Sequence, residues 1–384
     1  MAPHIEARAR RRNAARFVDS CARVDGVRLK AVYQGRMSIV MRILPAVLLS
    51  AGAASAVPPL PVSLAGAAPA AAPAEAPPRA FFEALRAADL RLATIGYRLT
   101  SANAALCDRL QPQIGMPIHA LNQYSAEARP NAIGVFGFET RLAVEAVVAN
   151  GPAARAGVRS GDSIQLLAGK RQPGIGAADA AETPADRDAA EALIAAQPPG
   201  APIAMTVLRD GRAISVSIPA VAGCRSRFEI LLGSGLDASA DGAVVQIGEK
   251  YFEGYSDAEV AVIVAHELAH NILRHRDRLD AAKISRGLMA ELGRNGRLIR
   301  QTEDEADRLS VYLLANAGYD PRSAPQFWRE KGGTIDGGLF RSRTHASSKA
   351  RATALDAVVQ DIARRPERPI LPADVLALRT QPLR

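Results

Sequence analysis

The stretch Ser256-Asp257-Ala258-Glu259-Val260-Ala261-Val262-Ile263-Val264-Ala265-His266-Glu267-Leu268-Ala269-His270 decides how this chain of 384 residues is to be read. Ser256 followed by Glu259 has the form of a capping box, and the apolar run Val260 to Ala265 buries the start of a helix. Four residues of α-helix advance about 400°, so His266 and His270 leave one face together. Two imidazoles one turn apart suit a single Zn²⁺, and Glu267 beside them can accept the proton of a metal-bound water.

A catalytic zinc needs a third protein ligand and an open fourth position. If the helix continues, His275 lies about 140° around it from His270, off the metal face, so it reads as a support behind the ligands or a surface residue. Thr302-Glu303-Asp304-Glu305-Ala306-Asp307 offers the better third ligand. Thr302 and Glu305 have capping-box form, and Gly318 and Pro321 stop the helix, so Glu303 and Asp307 share one face. Glu303 is expected to ligate, Asp307 to orient a liganding imidazole and Glu305 to cap, with Glu291 the reserve ligand.

H-E-L-A-H followed after a gap by E-x-x-A-D resembles the HtpX and CAAX-prenyl-protease family of zinc metallopeptidases, over about residues 224–360. The resemblance implies Zn²⁺ on His266, His270 and Glu303, one ion per chain, Glu267 as general base, and a substrate lying as an extended strand beside a sheet edge. Asp237-Ala238 stands where that family has Asn-Ala, and Ala243, Val244, Val245, Gln246 and Ile247 stand where it has a substrate-lining strand. Thr344-His345-Ala346-Ser347 through Arg351 is similar to its Thr-His-Pro segment, with Ala346 in place of Pro. By that likeness His345 could donate to the developing oxyanion, whereas an N-cap by Ser347 or Ser348 would explain the same residues structurally.

Upstream, residues 130–222 carry short β-branched runs broken by Gly, Pro and Asp, which reads as a β-rich module. Asn150-Gly151-Pro152-Ala153-Ala154-Arg155-Ala156-Gly157-Val158 and Ser160-Gly161-Asp162-Ser163-Ile164 resemble the PDZ domain of bacterial proteases. A helix is expected near Asp188–Gln197, then strands Ile203–Leu208 and Ala213–Ile218 around an Asp210-Gly211 turn. PDZ domains take an extended peptide at a sheet edge, so Phe136-Gly137-Phe138 is the candidate loop for a peptide's C-terminal carboxylate. Between Ala80 and Cys107, Phe81, Phe82, Leu85, Leu92, Ile95 and Leu99 recur at helical spacing and read as packing. The fold class expected is therefore α+β: a zincin-like, mainly helical metallopeptidase domain with a small sheet (224–364), after a helical segment (80–129) and the PDZ-like domain (130–222), and before a Pro-rich tail (365–384).

The net charge of +9 does not mark a nucleic-acid surface. Nine Arg and Lys against three acids in residues 1–36 place +6 of it there, and no basic stripe interleaved with aromatics follows. Met37 or Met41 reads as the true start. The apolar run Ile43 to Leu49 and Ala54-Ser55-Ala56 then describe a signal peptide ending at 56, followed by a Pro/Ala linker at 57–79. Export to a periplasm-like compartment is expected, with membrane contact only through an uncleaved leader. Losing Cys21 with the leader leaves Cys107 and Cys224 as a candidate disulfide or as two buried thiols. The function expected is an exported zinc metalloendopeptidase of protein quality control, acting on proteins or peptides. The alternatives are a peptide-binding protein with a non-catalytic peptidase-like domain, and a membrane-anchored form of the enzyme.

Overall fold

In this computed structural model, residues 77–176, 181–284, 293–335 and 346–384 are described. The leader, most of the 57–79 linker, Glu291 and His345 lie outside them. The fold mixes helix and sheet, as an α+β class requires.

Helix α1 (Arg79–Ala102) forms because Phe82, Leu85, Leu92, Ile95 and Leu99 return to one face every three or four residues, and all five are buried. The helical segment is not a separate unit: Leu92, Ile95 and Leu99 enter the same core as the His266 helix. Gly96 lets α1 approach closely, since a Cβ there would meet the Phe228 ring at 2.7 Å.

Strand β1 (Leu110–Gln113) leads into the β-rich unit, whose first sheet strand, β2 (Ile118–Ala120), precedes helix α2 (Arg129–Phe136). Strands β3 (Leu142–Val144) and β4 (Ser163–Leu167) follow, then helix α3 (Ala185–Ala195) and the hairpin β5 (Pro202–Arg209) and β6 (Arg212–Pro219). The sheet runs β2-β3-β4-β5-β6, with Lys170–Arg171 added beside β4. Asp210 and Gly211 both take positive φ, 53° and 72°, so the hairpin turns where the sequence placed it. The unit begins earlier than residue 130, because Ile114, Met116 and Ile118 join its core and β2 pairs with β3.

Phe136-Gly137-Phe138 does not form an open carboxylate loop. Phe136 ends α2 and Gly137 caps it at φ 70°, with its N–H bonded to Ile133 O. The two Phe rings are buried among Phe82, His119 and Tyr124. Aromatic burial outweighed the extended conformation that the β-branched composition suggested.

Strand β7 (Val221–Cys224) leaves this unit and pairs antiparallel with β1, Leu110 opposite Cys224. Cys107 and Cys224 are joined as a disulfide, with Cα atoms 5.4 Å apart. Next come β8 (Arg227–Leu231), β9 (Ala238–Ala240) and β10 (Val244–Gly248), in the order β9-β10-β8. Strand β10 is therefore the middle strand, antiparallel to β9 and parallel to β8. Residues 243–247 cannot be the open, substrate-lining edge, since their backbone groups are used on both sides. Among the described strands the two outer ones of this sheet are β9 and β8.

Helix α4 (Asp257–Ile272) begins on the expected Ser256–Glu259 capping box. After it come α5 (His275–Ala281), α6 (Gly293–Asn316), α7 (Ser323–Glu330) and α8 (Ser348–Ala363). Val260, Val264, Leu268, Leu309, Leu313, Phe327 and Leu355 fill the space between α4, α6, α7 and α8. Each such side chain contributes about 1.5–3 kcal/mol when fully buried. The Pro-rich tail is docked rather than loose: Ile370 and Val375 are buried in the same core, and the Ile370 N–H donates to Asn316 Oδ1.

Candidate metal centre

Helix α4 delivers His266 and His270 from one face, and α6 lies alongside to deliver Glu303 and Asp307. His266 Nε2 lies 3.2 Å from both His270 Nε2 and Glu303 Oε2, and His270 Nε2 lies 3.6 Å from the same carboxylate oxygen. Ligands held at about 2.1 Å in a tetrahedron stand about 3.4 Å apart, so the donor spacing fits three corners around one Zn²⁺. Three lone-pair donors facing one point would repel without a cation between them, and among the described residues this is the one His/Cys/Asp/Glu group that could hold a metal ion. Glu267, next to His266 on α4, is buried.

Behind the donors, His266 Nδ1 donates to Asp307 Oδ1 at 2.9 Å, which leaves Nε2 free to ligate. Asp307 is itself clamped by Arg351, whose Nε and Nη2 donate to its two oxygens at 2.7 and 2.6 Å. Arg351 lies over the Trp328 ring at 3.4 Å, which fixes the guanidinium plane. Burial pushes the Asp307 carboxyl up, but Arg351 and His266 together hold it down at about 2. Burial also opposes charge on His266, yet its hydrogen bonds to Asp307 and Glu303 hold it up at about 10. The pocket is thus electrostatically built to hold positive charge at His266, which a metal cation would supply on displacing the proton.

His275 is neither on the α4 face nor at the surface. The α4 helix stops at Leu273, and Arg274 takes a left-handed conformation at φ 53°. That reversal brings the His275 ring back against His270, Nδ1 to Nδ1 at 2.9 Å, while its Nε2 faces Glu305 Oε2 at 3.2 Å. Of the two positions the sequence left open for His275, the buried one behind His270 is observed and the surface one is not. The expected 140° offset assumed an unbroken helix.

Glu305 is not a capping residue. Helix α6 starts at Gly293, so Thr302 sits mid-helix with its hydroxyl donating to Ile299 O. Glu305 instead accepts from Arg278 Nη1 at 2.5 Å and from Gln301 Nε2 at 2.8 Å. Burial raises its pKa, but His275, Arg278 and Gln301 outweigh that and hold it at about 2. The Glu305 and Arg351 roles were missed. Arg351 lay within the Thr344–Arg351 segment already singled out, whereas nothing in the sequence marked Arg278 as Glu305's partner. At the far end of α4, Asn271 Oδ1 accepts from the Gly242 N–H at 2.8 Å, tying the helix to the β9–β10 turn.

No family model matches this chain. Over 122 residues it is 34% identical to the mitochondrial metalloendopeptidase OMA1 of Arabidopsis thaliana, a match covering 26% of this chain and 24% of that protein. The chain therefore spans about a quarter of that relative's length, and the likeness is to part of a metallopeptidase. Among solved structures, an HtrA-type protease, AlgW with decapeptide, matches 29% of this chain and 30% of its own at 23% identity and a TM-score of 0.22. A serine endoprotease from Yersinia pestis matches 30% of each chain at 23% identity and a TM-score of 0.19. TM-scores that low define no shared fold.

Proposed function

We propose that this chain is an exported zinc metalloendopeptidase that hydrolyses peptide bonds in protein quality control. The observation that carries the reading is the convergence of His266 Nε2, His270 Nε2 and Glu303 Oε2 within 3.2–3.6 Å of one another. Those three residues would hold the zinc, which when bound polarises the peptide carbonyl and acidifies water. Glu267 takes the proton of the attacking water, holds it on its carboxylate and passes it to the departing amine nitrogen. Asp307, clamped by Arg351, keeps His266 aimed with Nε2 inward.

The substrate is a protein or peptide, added as a strand along the outer edge of β9, which packs beside α4. The β-rich unit acts as a PDZ-like module that captures peptide ends. The edge strand β2 flanks α3 there, beside a cavity of about 350 Å³ lined by Gly115, Met116, Ile118, Glu191 and Ile194. Export is supported by the A-x-A signal in the sequence and by the Cys107–Cys224 disulfide, which an oxidising compartment maintains. Among the described residues no helix is long and apolar enough to cross a membrane.

The test is Glu267→Gln, which keeps the side-chain shape but cannot accept a proton. Casein cleavage should fall by about 10²–10⁴-fold with zinc content unchanged. A variant that keeps more than about a tenth of wild-type kcat with zinc bound sinks the mechanism.

A further inference from the structure

We infer that His275 is a positioning residue for the metal centre, relaying the Glu305 carboxylate to the back of His270; the inference rests on the zinc reading above. The argument is one of proton count. Glu305 can only accept, so His275 Nε2, 3.2 Å from Glu305 Oε2, carries a hydrogen. At the other side, His270 Nδ1 and His275 Nδ1 face each other at 2.9 Å, and one hydrogen alone fits between them. For His270 to ligate through Nε2 its proton must sit on Nδ1. His275 must then accept there, as the neutral tautomer with its hydrogen on Nε2 does. Glu305 therefore sets the His275 tautomer, and His275 sets that of His270.

The same two contacts fix the His270 ring in space. Glu305 is anchored by Arg278 Nη1 at 2.5 Å and Gln301 at 2.8 Å, so the relay ends on hydrogen-bonded groups from α5 and α6. It also makes the two liganding imidazoles unequal. His266 leans directly on a carboxylate, while His270 leans on an imidazole, a weaker acceptor of its N–H. His266 is thus the stronger donor, and His270 depends on a residue beyond the helix break at Arg274.

Three variants separate this role from simple packing. In His275→Leu the space is filled but the acceptor is lost, leaving the His270 N–H buried without a partner. His275→Asn places an acceptor oxygen close to where Nδ1 stood. Glu305→Met removes the acceptor of the His275 Nε2 hydrogen, which frees that hydrogen to move to Nδ1, against His270, without touching His270 itself.

Zinc affinity by chelator competition and the visible spectrum of the Co²⁺-substituted chain report the outcome independently of activity. Residues supporting a metal ligand typically contribute 10–100-fold in affinity. His275→Leu and Glu305→Met should lose about that much and shift the Co²⁺ bands, while His275→Asn should recover most of the affinity and the wild-type bands. Wild-type affinity and spectrum in His275→Leu overturn the relay. If that variant does not fold, wild-type affinity in Glu305→Met overturns it equally. A wild-type chain that takes up no zinc overturns the metal reading itself, which is distinguishable from wild type binding zinc and the variants binding it as well.

Discussion

Two clusters of buried carboxyls in this protein have opposite electrostatics. At the metal centre, Asp307 and Glu305 are held at about 2, because Arg351, Arg278 and two imidazoles outweigh burial. Between α1 and the β-rich unit, Asp89 and Glu145 are held upward. Burial is the leading cause for both, and for Asp89 the neighbouring Glu145 adds to it. Arg187 lies close to both, yet it is also committed to Asp188 and Glu229 at 2.8 Å. The difference teaches that burial alone does not decide whether a carboxyl is charged. A dedicated guanidinium in bidentate contact keeps the charge, and a pair of acids with a shared cation keeps a proton between them.

The largest expected effect tests the charged side of that contrast. Arg351→Met should destabilise the chain by about 3–5 kcal/mol in urea unfolding, because it leaves Asp307 buried with its main counter-charge gone. A loss under about 1 kcal/mol would show that His266 alone compensates Asp307 and would erase the contrast. Next, Asp307→Asn should weaken zinc binding by about 10–100-fold in chelator competition, since the amide cannot supply the charge that makes His266 a strong donor. Unchanged affinity would mean that His266 is aimed by packing.

The smallest effect tests the neutral side. Asp89 and Glu145 have folded pKa values above their unfolded ones, so their contribution is fully present at acid pH and is lost as pH rises through the folded values. Arg86 and Arg187 temper this loss, while Glu191 and Glu229 add to it. Asp89→Asn removes one titrating partner and can still donate to Glu145. It should be near neutral at pH 5 and more stable than wild type by about 1 kcal/mol at pH 8, the worth of one hydrogen bond. A variant less stable than wild type at pH 8 would place both carboxyls in the charged state.

Helix α4 and its two histidines were legible because the signals are local: a capping box, an apolar run and an i, i+4 pair fix one face of one helix. Glu303 and Asp307 were legible for the same reason, being one turn apart. Their capping-box reading of Thr302 and Glu305 failed, since helix α6 starts nine residues earlier than Thr302, at Gly293, and Glu305 finds its partner on another helix. The aromatic pair at Phe136 and Phe138 misled because a β-like composition does not reveal that Phe82, His119 and Tyr124 wait to bury it.

Sequence by itself determined the His266 and His270 pair with Glu267 beside it, the Glu303 and Asp307 pair and the Asp-Gly hairpin, because each is encoded by residues within about one or two turns of one another. Tertiary structure alone decided which strand is an edge, that α1 belongs to the core around α4, and that His275, Glu305 and Arg278 form one chain behind His270. Those outcomes depend on contacts between separate elements, such as Arg278 with Glu305 27 positions away, and on a single left-handed residue, Arg274, whose φ of 53° reverses the helix. No local preference dictates that conformation for arginine. It is imposed by the packing it allows.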